Sequence, residues 1–74
     1  MQVAVRLFGT LRRFQLHQTS IELEGGTTVG GLLDRAEIPT SEVAIVLVNG
    51  IHAELEQPLQ DGETVALFPP IAGG

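Results

Sequence analysis

The chain contains no cysteine, tryptophan, tyrosine or lysine; its 4 cationic side chains are all arginine and its only aromatics are 3 phenylalanines. Without cysteine there is no disulfide, no thiolate metal ligand and no thiol nucleophile, so the fold rests on packing and any chemistry falls to other groups. A chain of 74 residues buries only about 60% of the surface its unfolded form exposes, which leaves a small core to do that work. Long apolar runs are also missing. The longest is the stretch of 6 residues from Val43 to Val48, against about 20 for a membrane-spanning helix, and no basic region followed by an apolar stretch opens the sequence. Spanning, anchoring and secretion are disfavoured, and a cytoplasmic location is expected. The 9 acidic residues outnumber the basic ones to give a formal charge of -5, which repels phosphate backbones and favours a basic protein partner. So few aromatics make a poor stacking platform for bases, and no nucleic-acid or membrane partner is expected.

What is present reads as an alternation of short elements. Gln2 to Phe8 places Val3, Val5 and Leu7 on one face and Ala4, Arg6 and Phe8 on the other, the period of a strand. Gly9 to Gln15 reads as a connecting turn, after which Thr19, Ile21 and Leu23 alternate as a second strand that forms a hairpin with the first. Gly25-Gly26 breaks that strand. Thr27 or Thr28 can cap a helix whose apolar positions Val29, Leu32, Leu33 and Ala36 fall on one face, with Pro39 as its stop. Gly30 and Gly31 each cost about 1 kcal/mol relative to Ala in a helix, so this helix needs tertiary packing to persist. Val43 to Val48 reads as a central strand ending in the hairpin signal Asn49-Gly50, followed by a short strand from Ile51 to Ala53. Pro58 to Gly62 is a turn region, and Thr64 to Phe68 is the last strand, stopped by Pro69-Pro70. One domain over residues 1–68 and an extended tail over residues 69–74 are expected.

This order implies an α+β domain with one helix across a mixed sheet. A single short helix covers one sheet face, yet Val43 to Val48 is apolar on both faces, and Phe8 and Phe68 add to the uncovered one. The surplus is either a partner surface or the burial of a central strand.

The catalytic inventory is thin. Gly25 to Gly30 matches the glycine spacing of a phosphate loop, but Gly31 and Leu32 stand where Lys and Ser or Thr are needed, so the match is rejected. His17 and His52 lie on different elements and have no cysteine to complete a common zinc pattern; no metal site is expected. Glu54 and Glu56 read as solvating charge near a strand edge rather than an acid/base pair. Thr27, Thr28 and Ser41 read as caps or turn residues, with no base placed to activate them. Arg6, Arg12 and Arg13 form a small basic group that pairs either with a partner or with the chain's own glutamates.

The C-terminal segment is more specific. Two prolines set a stiff exit after the last strand, and Gly73 and Gly74 carry no side chain to obstruct passage through a narrow channel. The 6 residues from Pro69 to Gly74 reach at most about 20 Å when extended, enough to enter a buried site in another protein. Taken alone, Gly-Gly is equally an unstructured end.

The longer segment Asp61-Gly62-Glu63-Thr64-Val65-Ala66-Leu67-Phe68-Pro69-Pro70-Ile71-Ala72-Gly73-Gly74 resembles the signature of the ubiquitin-like sulfur carriers (the MoaD and ThiS type), nearest the small subunits of molybdopterin synthase. Val3-Ala4-Val5-Arg6-Leu7-Phe8, Leu11-Arg12, Thr28-Val29 before Leu32-Leu33, Val48-Asn49-Gly50 and Pro58-Leu59 extend the resemblance over nearly the whole chain. It implies a β-grasp fold. The thiazole-pathway carriers share the Gly-Gly end but usually lack the paired prolines, so Pro69-Pro70 favours the molybdopterin branch. Residues 9–18 and the helix region are shorter than is usual there, which leaves room for a carrier serving thiazole, tRNA or amino-acid biosynthesis. A ubiquitin-like modifier is the rival of a different class, and the absence of lysine excludes chains linked through the protein's own lysines.

The resemblance implies that the chain is not itself an enzyme and binds no cofactor. ATP and Mg²⁺ belong to a ubiquitin-activating-like adenylyltransferase, which would adenylate Gly74; a sulfur donor would then convert it to a thiocarboxylate. In this implied scheme Gly73 gives clearance, Ala72 and Ile71 continue the tail, Pro70 and Pro69 aim it, and Phe8 with Phe68 contacts the partners. The large subunit of molybdopterin synthase would receive the tail, and cyclic pyranopterin monophosphate the sulfur.

Overall fold

In a computed structural model of the chain, residues 1–14 and 20–70 are described. Their order is strand β1 (Gln2–Leu7), a 3-10 turn (Gly9–Arg13), β2 (Ser20–Glu22), helix α1 (Val29–Arg35), a second 3-10 turn (Thr40–Glu42), β3 (Ile45–Val48), β4 (Ile51–His52) and β5 (Thr64–Phe68). The strands make one mixed sheet in the order β2-β1-β5-β3-β4. β1 runs parallel to β5, and the other three pairings are antiparallel. This is the α+β, β-grasp arrangement that the resemblance implies.

Alternation decides which side of the sheet is covered. Val3 and Val5 of β1, Val46 and Val48 of β3, and Val65 and Leu67 of β5 are buried, and they share one core with Val29, Leu32 and Leu33 of α1. β5 lies at the middle of the sheet, and β3, within the Val43 to Val48 segment, is an interior strand as expected, between β5 and the short edge strand β4. β3 begins later than its apolar run suggests. Thr40–Glu42 form a 3-10 turn whose Thr40 carbonyl takes the Val43 N–H, and Val43 and Ala44 lead into the strand. Leu11, within the connecting turn after β1, is a core residue only 1% exposed.

The helix keeps its glycines because its first turn is closely surrounded. Thr28 is the N-cap, its hydroxyl accepting the Gly31 N–H at 3.1 Å. The Val29 and Gly30 N–H groups donate to the Gln57 and Leu55 carbonyls, each at 2.9 Å, so the loop after β4 holds the donors that the helix cannot satisfy itself. A Cβ on Gly31 would lie 2.9 Å from the Thr27 methyl, so a side chain there would have to displace Thr27. The expected stop at Pro39 is corrected. The helix ends at Arg35, where Ile38 donates to the Leu33 carbonyl at 2.9 Å and Glu37 to that of Asp34 at 3.1 Å. That is a Schellman closure with Glu37 at φ 58°, sealed by buried Leu33 and Ile38.

Candidate functional site

The uncovered sheet face is built by the residues that alternate with the core. Register aligns Arg6 of β1, Ala66 of β5, Leu47 of β3 and His52 of β4 in one row across the strands. In the neighbouring row Phe68 pairs with Ile45, and Phe8, one residue beyond β1, continues the parallel ladder by donating to the Leu67 carbonyl at 3.1 Å. The Phe8 and Phe68 rings stack with centroids 4.5 Å apart and planes inclined by 9°. Among the described residues no helix covers them. Ile45 beside them is 46% exposed, an apolar side chain held in water by a rigid strand.

Charge borders this face. The Arg6 guanidinium carbon sits 6.0 Å from the Phe8 ring centroid, at the outer edge of cation–π range. Arg13 belongs elsewhere: it lies over Phe14 and makes an ion pair with Glu42, so part of the basic group is engaged with the chain's own acid. No polar or charged residue among the described ones is buried, and no desolvated acid/base pair is assembled. His52 is exposed on the edge strand, Glu54 and Glu56 are exposed in the following loop, Thr27 bonds the Glu24 carbonyl, and Ser41 sits exposed in a turn. His17 lies outside the described residues.

The stacked pair stands where the tail leaves the sheet. The Ala44 N–H donates to the Phe68 carbonyl at 2.8 Å, so β5 is held to its last residue; Pro69 follows half-buried and Pro70 exposed. Ile71, Ala72, Gly73 and Gly74 lie outside the described residues. An apolar platform and the start of the tail thus share one end of the sheet. Phe8 and Phe68 are legible as candidates in the sequence; Ile45 and Leu47 lie within an apolar run, and the alternating burial and register of β3 show which face they take.

Comparisons with known proteins agree with this architecture. The ThiS family model matches residues 5–74. Among solved structures, the Haloferax volcanii HVO 2177 protein is 32% identical over 100% of this chain and 87% of that one, with TM-score 0.75. Small archaeal modifier protein 1 of H. volcanii is 25% identical over 95% of this chain and 98% of that one, with TM-score 0.73. One chain of the protein–protein complex of subunits 1 and 2 of molybdopterin-converting factor from Helicobacter pylori is 25% identical over 100% of this chain and 100% of that one, with TM-score 0.58. No curated protein sequence matches the chain.

Proposed function

The chain belongs to the ThiS family of ubiquitin-like sulfur carriers, and from that premise we propose that it is the sulfur-carrying small subunit of a molybdopterin synthase. The family match running through Gly73 and Gly74 carries the carrier reading. Pro69-Pro70 and the likeness to the H. pylori complex support the molybdopterin branch.

A carboxylate is a poor electrophile because its charge is delocalised and its leaving group would be oxide. In the proposed cycle the Gly74 carboxylate attacks the α-phosphate of ATP on an activating enzyme and pyrophosphate leaves, giving an acyl adenylate. Hydrosulfide released by a donor then adds to the carbonyl, and AMP and a proton depart. The thiocarboxylate that results is a soft nucleophile whose sulfur bears the charge, so a chain without cysteine can deliver sulfur. The chain's own contribution is not catalytic. Its open face docks, and its tail reaches a reaction centre in the partner, where two such transfers build a dithiolene on cyclic pyranopterin monophosphate.

Reconstitution with a molybdopterin synthase large subunit tests the branch. Thiocarboxylated chain should convert cyclic pyranopterin monophosphate to molybdopterin; sulfur retained on the chain in the presence of an active large subunit overturns the assignment. The likeness to small archaeal modifier protein 1 favours one second reading, attachment to proteins. Adducts of higher mass that survive denaturation would mark it.

A further inference from the structure

The start of the tail rests against a glycine on the far side of the sequence. Gly9 follows Phe8 with φ +57°, and a Cβ built on it would fall 2.9 Å from Pro69 Cγ and 3.3 Å from Pro69 Cδ. The proline ring therefore occupies the space that a side chain at Gly9 would fill. The hydrogen bonding explains why the two segments meet here. Along the parallel pair, Ala4 donates to the Glu63 carbonyl and Phe8 to the Leu67 carbonyl, so the next donor in the ladder would be the N–H of residue 69, aimed at the Phe8 carbonyl. Proline has none. The Phe8 carbonyl takes the Leu11 N–H instead, at 3.1 Å, which opens the 3-10 turn at Gly9 and anchors it through buried Leu11. The ladder ends, the chain of β1 turns away, and Pro69 seats on the backbone at that turn.

We propose that Gly9 is a positioning residue for the tail: its bare Cα, presented in a left-handed turn, is the seat for the Pro69 ring and fixes the direction in which the chain leaves β5. This rests on the carrier reading for its consequence, because a tail that must enter another protein's active site gains from a defined exit. It does not rest on that reading for its geometry. Gly9→Ala would both strain the turn and push against Pro69, whereas Gly26→Ala strains a turn at φ +88° with nothing within 4 Å. The second substitution is therefore a control for strain alone.

The test compares the full-length chain, Gly9→Ala, Gly26→Ala, Pro69→Ala and the Gly9→Ala/Pro69→Ala double variant. Nuclear Overhauser contacts between Gly9 Hα and the Pro69 ring report the seat without any enzyme. Intact-mass kinetics with an activating enzyme, ATP and sulfide report its use. The expected result is a Gly9–Pro69 contact in the wild-type chain that Gly26→Ala retains. Gly9→Ala should lower kcat for thiocarboxylate formation by about tenfold, with KM for the chain little changed, since ångström-scale misplacement of a reacting group costs up to about 10²-fold. In the Pro69→Ala background, the same substitution should cost no more than Gly26→Ala. If Gly9→Ala does not fold, the wild-type contact together with a lower kcat in Pro69→Ala still supports the seat, and an unchanged kcat there overturns it. Absence of the wild-type contact, or Gly9→Ala slowed no more than Gly26→Ala, also overturns the proposal. If the wild-type chain accepts no sulfur, the carrier reading fails, and the nuclear Overhauser contacts alone decide whether the seat exists.

Discussion

Asn49 combines two roles in one residue. It holds φ 51° in the turn between β3 and β4, its side-chain oxygen accepts the Thr64 N–H at 2.9 Å, and its own N–H donates to the Thr64 carbonyl at 2.8 Å. Asparagine tolerates the left-handed region, and alanine does so at a cost of about 1–2 kcal/mol. Asn49→Ala also leaves the Thr64 N–H without its partner, so it should destabilise the domain by about 2 kcal/mol in urea unfolding. Ile45 is the opposite case, 46% exposed and outside the buried core. Ile45→Glu should leave the melting temperature nearly unchanged, because exposed substitutions are usually within about 0.5 kcal/mol. The same change should weaken binding of a partner subunit by tenfold or more in calorimetry, an effect of about 1.4 kcal/mol or larger. Phe68→Ala is a less clean test of the same face, since Phe68 is half-buried and stacked on Phe8.

At the scale of elements, α1 has only 7 residues and survives because its ends are tied. Thr28→Ala removes the hydroxyl that accepts the Gly31 N–H and should cost about 1 kcal/mol. In a domain of this size that lowers the thermal midpoint by about 4–8 °C, readable by circular dichroism. The start of this helix was legible because threonine before an apolar period is a direct chemical signal. Its end was not. The Schellman position is taken by Glu37 rather than glycine, so no breaker marks it and Pro39, further on, drew the boundary too late. The same holds for β3, where an apolar run cannot distinguish Val43 and Ala44, which approach the sheet, from Ile45–Val48, which join it. The bounds of β5 are legible in the sequence, since Pro69 stops it chemically, but its place at the centre of the sheet depends on parallel pairing with β1, which no local pattern encodes.

For the whole molecule, one helix covers one sheet face and leaves the other open among the described residues, and the last strand ends at Pro69-Pro70 beside that open face. The face and the tail were both readable, one from surplus apolar residues and the other from the resemblance around Pro69-Pro70 and Gly73-Gly74; the Gly9 contact with Pro69 was not, because it joins opposite ends of the sequence. The formal charge of -5 adds a kinetic expectation. Association with a basic partner should slow as salt rises from low to physiological concentration, in stopped-flow measurements, because steering between opposite charges is screened over about 8–10 Å under those conditions. Whether Gly74 carries sulfur is decided by intact mass spectrometry after incubation with an activating enzyme, ATP and sulfide, beside a Gly74 deletion. Exchange of one oxygen for sulfur is expected in the undeleted chain and none in the deletion. No exchange with an enzyme that thiocarboxylates another carrier, or exchange that persists without Gly74, would contradict the carrier reading.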